Sequence, residues 1–87
     1  MKITDVRIQP VNHSGNTKAF ASVTIDDAFV VHNLRVVHGR YGLFVSMPFK
    51  KVGDQFFDIS HPITAEAHER LSQAVLQEYQ HSLMNQI

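Results

Sequence analysis

Single alternation of apolar and polar residues dominates the first two thirds of the chain, and a spacing of three to four takes over in the last third. Thr4, Val6 and Ile8 alternate with Asp5, Arg7 and Gln9, the period of a half-buried strand. Pro10 has no amide hydrogen to give a ladder, so it ends that strand or lies on an edge. His13-Ser14-Gly15-Asn16 forms a turn cluster. Ala19, Ala21, Val23 and Ile25, alternating with Lys18, Phe20, Ser22 and Thr24, predict a second strand, and Asp26-Asp27 a tight turn into a hairpin partner. That partner, Phe29 to Val37, carries apolar groups on both faces and reads as a central strand covered on both sides.

Gly39-Arg40-Tyr41-Gly42 is the next turn and Leu43 to Met47 the fourth strand, closed by Pro48. A polar loop with Lys50-Lys51 and Gly53-Asp54 leads to a short fifth strand around Phe56–Ile59. His61-Pro62 breaks the pattern. Thr64 then serves as N-cap for a helix from Ala65 to about Leu83, with Glu66 in its first turn. Ala67, Leu71, Ala74, Val75, Leu76, Tyr79 and Leu83 make its apolar stripe. Glu66 and Arg70 stand four apart in the favourable order, and Met84 to Ile87 fray. The expected architecture is α+β: one domain over residues 1–87, a small antiparallel sheet of about five strands packed with a C-terminal helix.

Length and composition narrow the chemistry. With 87 residues and no cysteine, the chain has neither disulfide staples nor thiolate metal ligands, and oligomerisation is a common source of stability at this size. No apolar run reaches signal-peptide or membrane-span length, so a cytoplasmic protein without a membrane partner is expected. The six histidines, at positions 13, 32, 38, 61, 68 and 81, lack clamp spacing, so no metal is expected. No serine sits in a nucleophile elbow and the Gly39–Gly42 turn lacks a phosphate-loop pattern; neither a catalytic residue, a cofactor nor a small-molecule substrate is expected. His32, the polar residue within the most apolar strand, reads as a core histidine hydrogen-bonded to backbone.

The formal net charge is zero, yet residues 1–51 hold seven basic against three acidic groups, and residues 52–87 one basic against five acidic. Arg40-Tyr41 and Phe49-Lys50-Lys51 each set an aromatic beside a cation, a pattern that serves phosphates and exposed bases and that also occurs in solvated loops. The helix exposes Glu66, Glu69, Gln73, Gln77 and Gln80, a face that would repel phosphate.

Several stretches together resemble the septation protein SpoVG family, also called stage V sporulation protein G. They are Lys2 to Arg7, Ala21 to Val36, Gly42 to Pro48 followed by two cations, Asp58 to Ile63, and Ala74-Val75-Leu76 with Tyr79. The resemblance implies a small bacterial regulator affecting septation and sporulation, non-enzymatic and homodimeric, with members that bind DNA and also RNA. By the same resemblance the basic pair Lys50-Lys51 contacts nucleic acid; apart from the resemblance, Arg40 and Arg35 are expected to add phosphate contacts. The alternative is a protein-interaction module in cell division that binds no nucleic acid. The chain departs from the family pattern at Phe49 and the shorter, proline-free 49–54 loop, at Phe57, where the family often has a cation, and at Gln9-Pro10.

Overall fold

The structure is a computed structural model and describes residues 1–11 and 15–84. Four strands form an antiparallel sheet in chain order: β1 (Ile3–Pro10), β2 (Thr17–Ile25), β3 (Phe29–Gly39) and β4 (Gly42–Ser46). Two more, β5 (Phe49–Val52) and β6 (Gln55–Asp58), pair only with each other. The chain ends in helix α1 (Ala65–Met84). The architecture is α+β as expected, but among the described residues it has six strands in two sheets. The predicted 13–16 turn and the predicted fraying of Met84 to Ile87 lie partly outside the described residues.

Helix α1 lies across one face of the four-stranded sheet and touches every strand in it. Leu71, Val75 and Tyr79, spaced four apart, point down onto Ala19, Ala21 and Val23 of β2, Leu34 and Val36 of β3, and Val45 of β4. Alanine at two central positions leaves room for the helical side chains to fill. The Thr64 hydroxyl accepts the Ala67 amide at 3.1 Å, the expected cap, and Arg70 pairs with Glu66 at 3.2 Å. The stripe is shorter than its sequence pattern: Leu83 is 48% exposed, because the helix has by then run past the sheet.

At the β2–β3 hairpin both Asp26 and Asp27 hold φ near 53°, a left-handed pair that matches strand twist. Lys2 and Thr4 brace this turn. The Lys2 carbonyl accepts the Asp26 amide at 2.7 Å, and the Thr4 hydroxyl accepts that of Asp27 at 3.0 Å.

The central strand differs from the expectation in an informative way. Ala21 faces Leu34 and Val23 faces Val31, so His32 and Asn33 together oppose Ser22. This is a β-bulge, with Asn33 at φ 67°. It reverses the phase of side chains, so Val31 and Leu34 both turn toward the helix although three apart. Apolar residues on both parities therefore do not mean two covered faces: β3 is covered on one. His32 is exposed, not in the core, because the bulge carries it away from the helix.

Leu34 is fully buried while Leu83 is not, so the two positions should respond unequally. Leu34→Ala should lower the unfolding free energy by about 3 kcal/mol in urea titrations. Leu83→Ala should stay within about 0.5 kcal/mol of the parent.

Candidate nucleic-acid interface

The segment expected to be a loop is a β-arm. Val52 and Gln55 face each other across Gly53-Asp54, and only Gly53 has positive φ, 62°, the pattern of a type II′ hairpin turn. The Ile59 amide donates to the Pro48 carbonyl at 2.8 Å and closes the root. Every residue from Lys50 to Ile59 is exposed. Because neighbours on a strand point to opposite faces, Phe49, Lys51, Phe56 and Asp58 share one side of the arm. Lys50, Val52, Gln55 and Phe57 share the other.

A chain of ring and cation contacts ties the arm to the sheet. The Arg35 guanidinium lies 4.6 Å from the centre of the Phe49 ring. Phe49 meets Phe56 edge-on at 5.5 Å, and the Lys51 ammonium sits 5.6 Å from the Phe56 ring. Arg35 Nη1 donates to the Thr17 hydroxyl at 3.4 Å, whereas its Nε is buried with no hydrogen-bond partner among the described residues. The Phe49 π-face offsets part of that cost.

The four cations singled out from sequence are thus divided. Lys50 and Lys51 are exposed as expected, but on a strand, which turns them to opposite faces. Arg35 comes to the arm's root, with its guanidinium held by Phe49 and Thr17. Arg40 does not join them, because β4 pairs with β3 and not with β5. It sits with Tyr41, which is 97% exposed, on the β3–β4 turn at the opposite end of β4 from the arm. Sequence reasoning singled out Phe49 beside the lysines but missed its contact with Phe56. The signal was present, since Gly-Asp between two short runs of apolar and charged residues is a two-residue hairpin signature.

Side-chain charge sorts by layer. Residues 1–46 carry five basic and three acidic groups, the helix one basic and three acidic, and the arm two of each. The sheet face away from the helix is the more positive side. Among the described residues no three His, Cys, Asp or Glu side chains converge as a metal site would, and no helix is long and apolar enough to cross a membrane.

These features define a small α+β protein with one helix-covered face, one open face and a projecting two-stranded arm. The chain belongs to the SpoVG family, whose sequence profile matches residues 1–81. It is 51% identical over 88 residues to a relative from Heliobacterium modesticaldum, covering all of this chain and 99% of that one. A Clostridioides difficile relative is 48% identical, with 97% and 92% covered, and one from Treponema denticola 47%, with 92% and 87% covered. All three bear the name septation protein SpoVG.

If the Arg35–Phe49 stack anchors the arm, Phe49→Ala should loosen the arm alone. Amide hydrogen exchange over residues 50–57 should quicken roughly 10-fold, the equivalent of a stacking contact near 1.4 kcal/mol, while rates in β2 and β3 hold.

Proposed function

We propose that the chain is a cytoplasmic, non-enzymatic regulator that binds nucleic acid, DNA and also RNA, as a two-fold homodimer, and so acts on septation- and sporulation-type gene expression. The observation that carries this reading is the exposed arm, which holds Lys50 and Lys51 in solvent beside aromatic rings. Ammonium groups on a ribbon can follow a phosphate backbone, and their contribution is nearly independent of base sequence.

A second observation supports the dimer. Val52, Phe56, Phe57 and Ile59 are all more than half exposed on the arm. A lone two-stranded hairpin is marginal in water, so a second copy is a natural support for it. The same apolar residues favour the other reading, a protein-interaction module in cell division without nucleic-acid binding. Salt separates the two, since phosphate binding weakens steeply with ionic strength and an apolar interface does not.

Replacing Lys50 and Lys51 together by alanine should flatten the slope of log K against log salt on duplex DNA by roughly 1.8 units. Stability should change by no more than about 0.5 kcal/mol. A folded double variant that binds like the parent in fluorescence anisotropy places the interface elsewhere, and parent binding that ignores salt favours the protein partner. For the assembly, light scattering at high concentration should give twice the chain mass; a monomer mass rules out the dimer.

A further inference from the structure

The β3 bulge has a second effect, on the side of the sheet away from the helix. There it opens a shallow hollow of about 280 Å³, rimmed by Arg7, Gln9, Phe20, Ser22, His32 and Asn33. Ile8 and Ala21, which belong to or pack against the core, also line the hollow, while these six rim residues lie outside the core cluster. Phe20 is 42% exposed, a large ring standing on an open face. Gln9 lies opposite it on β1, and Arg7 lies opposite Ser22. Arg7 Nε donates to the Asp5 carboxylate at 3.0 Å.

The donor set is mixed in a particular way. Phe20 offers a π-face. The Gln9 and Asn33 amides each carry a donor and an acceptor, and Ser22 adds a hydroxyl. Arg7 supplies a cation at the rim. A ring to stack on, amides to meet a polar edge and a cation beside them are what an unpaired nucleobase with its phosphate requires. A duplex offers no free base face to the Phe20 ring, because its bases are already stacked on one another.

The hollow is also continuous with the arm. Phe20 pairs with Arg35 across the β2–β3 ladder, Arg35 stacks on Phe49, Phe49 touches Phe56, and Lys51 lies over Phe56. Three rings and two cations are interspersed along this line, the combination found on surfaces that follow a single strand. The helix, with three acidic groups to one basic, lies on the opposite face.

From this we infer that the bulge hollow takes one unpaired base of a single-stranded nucleic acid, whose backbone runs on past Arg35 and Phe49 to the arm. The inference rests on the nucleic-acid reading above and adds to it strandedness and a second contact point centred on Phe20.

The test uses the full chain and labelled oligonucleotides of ~12 nucleotides, a length that a single-strand site covers. DNA and RNA versions are each presented single-stranded and as duplex. Phe20→Leu should weaken single-strand binding roughly 10-fold, the loss of one base–aromatic stack, while duplex binding stays within about 2-fold. Phe20→Tyr keeps the ring and should bind like the parent, which separates stacking from folding. The DNA and RNA arms show which sugar the site prefers. If Phe20→Leu binds single strands like the parent, or loses both forms equally, the hollow is not a base site, and the arm's role is untouched. If the parent binds neither form, the nucleic-acid reading fails with it. A change in sedimentation coefficient in Phe20→Leu would assign the hollow to contact between copies and overturn the inference.

Discussion

One helix can cover only one face of a four-stranded sheet, and nearly everything distinctive about this molecule follows from that limit. The covered face is closely packed: Leu71, Val75 and Tyr79 rest on strand residues that are almost wholly buried, two of them alanines. Burial of apolar area at this contact is the main favourable term available to so small a chain, since it has no disulfide. Among the described residues, no polar or charged side chain is buried there as a whole.

What the helix leaves uncovered is correspondingly rich. Phe20, Val30 and Phe44 stand on the open face, and the arm adds Val52, Phe56, Phe57 and Ile59. Exposed apolar groups in such number mark a surface with work to do. Phe44 shows how closely the open face is still organised. Its ring lies over Gly39, so near that a Cβ placed there would come within 2.7 Å of it. Glycine at that position lets an aromatic ring come this close to the β3 backbone.

The bulge in β3 links the two faces. By holding Asn33 in the left-handed region and spending two residues opposite one, it lets Val31 and Leu34 both serve the core. The same device lifts His32 and Asn33 into the open face. Packing on one side and a polar hollow on the other are thus two consequences of one extra residue.

Local signals were legible wherever the chain decides its conformation over a few residues. The Thr64 cap, the Glu66–Arg70 pair, the left-handed Asp26-Asp27 turn and the alternation in β1 and β2 all come from neighbours in sequence. The Gly53-Asp54 turn was equally local and could have been read as a hairpin, which would have put Lys50 and Lys51 on a strand. Resemblance to the SpoVG family was also carried by sequence alone. Other features depend on residues far apart in the chain. Only the pairing of β3 with β2 shows that residue 32 begins a bulge, because a bulge is a mismatch between two strands and periodicity within one strand merely loses phase. Only the packed helix decides which face of the sheet is open. Whether Arg40 or Arg35 meets the arm likewise depends on which strand β5 pairs with, and that choice is made by long-range hydrogen bonds. Sequence determined the elements and their ends, because caps, turns and alternation act over a few bonds. Tertiary structure decided what each element faces, because burial and register are properties of pairs.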